Sequence, residues 1–139
     1  MEDTKKEVLD MRDSNISKLN VTRGEDLTEL YVQNNFLREL DLTNNRNLKI
    51  LDCTGNPLKY INALAPGSDG KMPLQVAAGA GGTVGMKIEP GVQRYYADPE
   101  EDFIFDGWYD ELGDRLSKEQ VWDDTYGAGR SIVAWFLAK

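Results

Sequence analysis

Glu29-Leu30-Tyr31-Val32-Gln33-Asn34-Asn35-Phe36-Leu37 is the stretch on which the fold turns. Leu30 and Val32 alternate with Glu29, Tyr31 and Gln33, the period-two pattern of a strand that buries one face. Asn34-Asn35 interrupts it with turn residues, and an asparagine amide inside a bend can donate to and accept from backbone groups that no strand partner reaches. Leu40 and Leu42 then resume the alternation as a return side. The pattern recurs at an offset of 21 residues: Leu9, Leu30 and Leu51 align, as do Met11, Val32 and Cys53, then Ile16, Leu37 and Leu58, and Leu19, Leu40 and Ile61. Asn35 aligns with Asn56, while the first period has Ser14 in that column. Repetition at such a period predicts that each unit is one coil of a solenoid, with apolar faces that only neighbouring coils cover.

Composition changes near Ala65-Pro66-Gly67-Ser68-Asp69-Gly70-Lys71-Met72-Pro73. All nine asparagines precede this stretch and all three tryptophans follow it. Residues 1–66 carry nine basic and eleven acidic side chains, against seven and thirteen in residues 67–139. The expected organisation is therefore a repeat unit over 1–66 (about three coils), a linker over 67–73, and a second unit over 74–139. In the second unit, Leu74-Gln75-Val76-Ala77-Ala78, Gln93-Arg94-Tyr95-Tyr96-Ala97-Asp98-Pro99, Phe103-Ile104-Phe105-Asp106-Gly107-Trp108-Tyr109 and Ile132-Val133-Ala134-Trp135-Phe136 read as strands. Ser117-Lys118-Glu119-Gln120 reads as the cap of a short helix.

Histidine is absent, which removes Ser-His, Cys-His and His-ligated metal mechanisms. The single Cys53 permits neither an internal disulfide nor a thiolate cage, and its column points inward, which predicts a buried packing role. A formal charge of −8 argues against nucleic acid as a partner, and no run of about 18 apolar residues predicts membrane insertion. Gly79-Ala80-Gly81-Gly82-Thr83-Val84-Gly85 lacks the Lys-Ser/Thr of a phosphate-binding loop and reads as a hairpin turn. The acidic residues Asp98, Glu100, Glu101 and Asp102, with Asp106, Asp110, Glu111 and Asp114, have no Ca²⁺-loop spacing and read as a solvated face. No pair of carboxylates is placed across a cleft, so no catalytic residue, metal site or cofactor is assigned.

Leu30-Tyr31-Val32-Gln33-Asn34-Asn35-Phe36-Leu37 and Leu48-Lys49-Ile50-Leu51-Asp52-Cys53-Thr54-Gly55-Asn56-Pro57-Leu58 resemble bacterial leucine-rich repeats of the internalin type. The resemblance covers roughly residues 7–63. Val76-x-Ala78, Gly81-Gly82-Thr83-Val84, Pro90-Gly91, Ala97-x-Pro99, Phe103-x-Phe105-x-Gly107-Trp108 and Ile132-x-Ala134-x-Phe136 resemble the divergent internalin-type B-repeat, except that Gln93 stands where that pattern has an apolar residue. The implied fold is mainly β: a short leucine-rich-repeat solenoid followed by a small, β-grasp-like B-repeat module. The implied setting is a bacterial cell surface or the extracellular space, although the chain opens with polar residues and no signal peptide.

The expected ligand surface is the outward row of the repeat strands: Asp10 and Arg12, then Glu29, Tyr31 and Gln33, then Ile50, Asp52 and Thr54. Its mixed polarity suits a polar protein or a glycan. Trp135 alternates outward from Ile132, Ala134 and Phe136, which suits packing against Trp122 or the repeats, the favoured expectation, or an anchor at an interface. The function implied is non-enzymatic binding in adhesion or host-surface contact; the alternative is a structural stalk or spacer of a larger surface protein.

Overall fold

In the computed structural model, which describes residues 7–64, 72–125 and 129–139, the leucine-bearing segments become short strands. β1 (Glu7–Asp10), β2 (Leu27–Tyr31) and β4 (Ile50–Asp52) lie side by side, as do β3 (Glu39–Asp41) and β5 (Tyr60–Leu64). These pairings are parallel, with Leu9 opposite Leu30, Leu30 opposite Leu51, and Leu40 opposite Ile61. The 21-residue offset of the sequence is thus the pairing register.

The chain continues through β6 (Pro73–Ala78), β7 (Gly82–Glu89), β8 (Val92–Pro99), β9 (Phe103–Asp110), β10 (Arg115–Ser117), β11 (Val121–Asp124) and β12 (Arg130–Ala138). β7 joins β4 antiparallel with Leu51 opposite Ile88, and β6 joins β5 antiparallel with Ile61 opposite Val76. The result is two six-stranded mixed sheets, the first in the order β1-β2-β4-β7-β8-β11 and the second in the order β10-β9-β12-β6-β5-β3.

The expected fold class is corrected here. The chain is all-β with two mixed sheets, and it forms neither a leucine-rich-repeat solenoid nor, with no helix among the described residues, a β-grasp-like module. The physical reason is the shortness of the repeat region. About three repeats is the minimum that can bury a continuous core by stacking alone, and open strand edges at the end of so short a stack invite further pairing. β6 and β7 take those edges, so each sheet runs from the repeats into the rest of the chain. The expected 67–73 linker falls mostly outside the described residues. The expected cap at Ser117 starts no helix: Ser117 Oγ accepts the Glu119 N–H at 3.0 Å, in the bend between β10 and β11.

One apolar cluster lies between the sheets. It includes Leu30, Val32, Leu51 and Cys53 with Met86 and Ile88 of the first sheet, and Leu40, Ile61, Val76, Ile132 and Trp108 of the second. Gln93 points into it and is buried, as its opposition to Ile88 requires. Tyr95, Trp108 and Trp122 are mutual neighbours, with ring centroids 5.4–6.5 Å apart, and Phe105 sits 5.5 Å from Trp108. Two aromatic polar ends inside this cluster have partners: Trp108 Nε1 donates to Glu119 O at 2.8 Å, and the Tyr95 hydroxyl donates to Asp124, which also pairs with Arg130 at 2.6 Å.

The turns between repeat strands are held by asparagine. Asn35 Nδ2 donates to Met11 O and Val32 O at 2.8 and 2.9 Å, while its Oδ1 accepts from Ser14 N–H and Ile16 N–H. Asn56 repeats this one register along, donating to Val32 O and Cys53 O at 3.0 and 3.1 Å and accepting from Leu37 N–H. Each asparagine therefore binds backbone of its own turn and of the preceding repeat. Ser14 stands in the same column beside β1, the edge of the first sheet among the described residues.

Cys53 is fully buried, with Sγ 3.3 Å from Met86 O, and burial pushes its thiol pKa up to about 12. Thiolate is the reactive form, so native protein at pH 8 is expected to resist labelling by a disulfide reagent and to react fully in denaturant. Rapid labelling without denaturant would contradict this placement.

Candidate functional site

Alternation that sends Leu30, Leu51, Met86, Tyr95 and Trp122 inward sends their neighbours to the opposite face of the first sheet. There, one transverse row crosses all six strands: Asp10, Tyr31, Asp52, Lys87, Arg94 and Asp123 stand opposite one another in turn. A neighbouring row carries Thr54 near Gly85, then Tyr96 and Val121. Both rows draw on residues from either side of the 67–73 segment.

The charges along the first row are paired. Arg12 Nη2 lies 2.6 Å from Asp10 Oδ2 and its guanidinium stands 5.7 Å from the Tyr31 ring centroid. Hydrogen bonding to Arg12 holds the Asp10 carboxyl below its usual range. Tyr31 donates to Glu29 Oε1 at 2.6 Å, and that bond to a carboxylate raises the Tyr31 hydroxyl pKa. Lys87 Nζ lies 3.8 Å from Asp52 Oδ2, and Arg94 bonds Asp123 and reaches Glu89 at 3.8 Å. The bond from Arg94 lowers the Asp123 pKa in the same way. Exposed pairs of this kind add little stability. They do fix which way the long side chains lie.

The expected site residues are all on or beside this face, with different accessibility. Asp10 and Arg12 are exposed, and Tyr31, Gln33, Ile50, Asp52 and Thr54 are half-buried. Glu29 is buried although it lies on the outward side, so it orients Tyr31 more than it meets a ligand. Sequence reading ended the face at Thr54. The structure extends it through Thr83, Gly85, Lys87, Arg94, Tyr96, Asp98, Gln120, Val121 and Asp123. The alternation within β7 and β8 was a signal for these residues, but nothing local said that β7 pairs with β4.

A depression of about 500 Å³ opens in the extended part of the face. Gly85 lies at its floor, Thr54 and Pro57 on the side toward the repeats, and Tyr96, Asp98, Gln120 and Val121 on the other. Thr54 Oγ1 donates to Asp52 Oδ1 at 2.7 Å, and Gln120 Nε2 donates to Ala97 O at 2.9 Å, which fixes both side chains at the rim.

Trp135 is placed differently from expectation. It lies on the outer face of the second sheet, 47% exposed, with its ring against Gly79. Trp122 is on the inner side of the first sheet, so the two indoles face different surroundings. Among the described residues, no three His, Cys, Asp or Glu side chains group closely enough to hold a metal ion. Neither a protein-family model nor a solved structure matches the chain.

Proposed function

We propose that the chain is a binding module that takes a polar protein or glycan on the outer face of its first sheet and performs no chemistry of its own. The observation that carries this reading is the transverse row from Asp10 to Asp123, to which every strand of the sheet contributes one polar side chain. Paired charges hold these side chains before any ligand arrives, which reduces the ordering cost of association. A role in adhesion at a bacterial surface is the setting suggested by the sequence resemblance.

The test is retention of the intact chain on a panel of immobilised glycans and host-surface proteins. The expected result is at least one ligand whose affinity falls about tenfold or more, roughly 1.4 kcal/mol, when Tyr31→Ala and Lys87→Ala are combined. Gln75→Ala with Ser131→Ala, on the outer side of the second sheet, is expected to leave that affinity unchanged. Absence of any ligand, or equal loss in both variants, would overturn the reading.

A further inference from the structure

Gly85 has no structural reason to be glycine. Other described glycines do: Gly55, Gly81, Gly91, Gly107 and Gly113 have positive φ, and a Cβ at Gly79, Gly82 or Gly129 would come within 2.8 Å of a neighbour. A Cβ at Gly24 would come within 3.0 Å of Asn45 Nδ2. At Gly85 the φ is not positive, and the nearest atoms to a Cβ would be Thr54 Cα at 3.4 Å, Thr54 Cγ2 at 3.6 Å and Tyr96 Cβ at 3.7 Å, which are ordinary contacts. No bulge requires it either, because the β7–β8 register runs unbroken from Gly82 opposite Pro99 to Glu89 opposite Val92. Glycine inside a strand weakens it and often marks a bulge or the close approach of a ligand or of another backbone; the neighbouring backbone here, at Thr54 Cα, would stay at ordinary contact distance from a Cβ. Here the missing side chain leaves open the floor of the 500 Å³ depression.

The lining defines the chemistry of what could enter. No lysine or arginine lines the depression, and Asp98 places a carboxylate on its wall, so an anionic ligand is disfavoured. The Thr54 hydroxyl spends its one donor on Asp52 Oδ1 and Gln120 spends one of its two amide N–H groups on Ala97 O, so the pair is left with two acceptor oxygens and a single N–H. With Asp98, the polar groups call for a ligand rich in hydrogen-bond donors. Tyr96, Val121 and Pro57 add apolar surface beside them. An uncharged pyranose matches both demands, with hydroxyls around its rim and C–H groups on its face. An extended peptide offers only one backbone donor per residue.

We infer that the depression over Gly85 is a subsite for an uncharged sugar unit of a glycan, with Asp98, Gln120 and Thr54 accepting from its hydroxyls and Tyr96 covering its apolar face. This deepens the binding reading above and rests on it. The test compares the intact chain with Gly85→Ala and Gly85→Val on arrays of neutral hexose and N-acetylhexosamine oligosaccharides, sialylated or sulfated glycans, and extended peptides. Thermal unfolding is followed in parallel. The expected result is binding to neutral oligosaccharides, weakened by Gly85→Ala and reduced at least tenfold by Gly85→Val, with both variants melting at or above the parent temperature. Preference for anionic glycans or for peptides, or neutral-glycan binding that survives Gly85→Val, would overturn the inference. So would a fall in melting temperature in both variants, which would make the glycine structural. A protein ligand lost with Tyr31→Ala and Lys87→Ala, in a chain that binds no sugar, would sink the subsite and leave the broader reading standing; no ligand of any class would sink both.

Discussion

Replacing Trp108 with alanine is expected to lower stability by about 3–5 kcal/mol, measured by urea unfolding at 25 °C. Its side chain is fully buried between Tyr95, Phe105 and Trp122. Truncation would lose the packing of an indole and leave Glu119 O without the 2.8 Å bond from Nε1. Trp108→Phe keeps most of the ring but not the donor, so its expected cost is smaller, about 1 kcal/mol for the lost hydrogen bond. A domain of this size has about 5–15 kcal/mol in all, so the alanine variant is expected to show a much earlier transition. A cost for Trp108→Ala below about 1 kcal/mol would mean that the aromatic cluster is not the core of the second half.

Asn56→Ala is expected to cost about 3 kcal/mol, because it leaves Cys53 O and Leu37 N–H without their side-chain partner, Val32 O keeping its bond from Asn35, and each buried orphan costs about 1–3 kcal/mol. The same change at exposed Asn44, whose amide only reaches Thr22 O at 3.5 Å, is expected to stay within about 0.5 kcal/mol. Paired urea titrations of the two variants compare a buried turn amide that binds two repeats through several bonds with an exposed one that reaches its neighbour by a single long bond. Equal midpoints would show that the asparagine column contributes nothing beyond turn propensity.

The 21-residue offset was legible because strand pairing in the repeats is between equivalent positions: the alignment of Leu9, Leu30 and Leu51 is also their register. The role of Asn35 and Asn56 was legible for the same reason, since a turn amide has few other uses. What could not be read was how the two halves join. Alternation specifies which side of a strand is buried but not which strand lies beside it, and the pairs β4–β7 and β5–β6 join segments with no internal similarity. The solenoid expectation failed at that step. Trp135 shows the same limit: its outward direction followed from its neighbours, but its expected contact with Trp122 required knowing the sheet to which each belongs.

For the candidate site, sequence supplied the repeat end of the face and missed the other half. Tyr31, Asp52 and Thr54 could be named because they repeat. Lys87, Arg94, Tyr96 and Asp98 do not repeat, and they join the site only through the non-local pairing of β7 with β4. Gly85 lay in a segment read as a hairpin turn, where a glycine needs no explanation. Its place within a regular strand is what makes it informative.

The position of β12 bears on how the protein is made. This strand, the last of the twelve among the described residues, lies inside the second sheet, antiparallel to β9 and parallel to β6. Without it, that sheet divides into β10-β9 and β6-β5-β3, each with an uncovered edge. A nascent chain therefore cannot close its second sheet until translation has passed Ala138, and until then the strands already made keep open edges of the kind that pair with other chains.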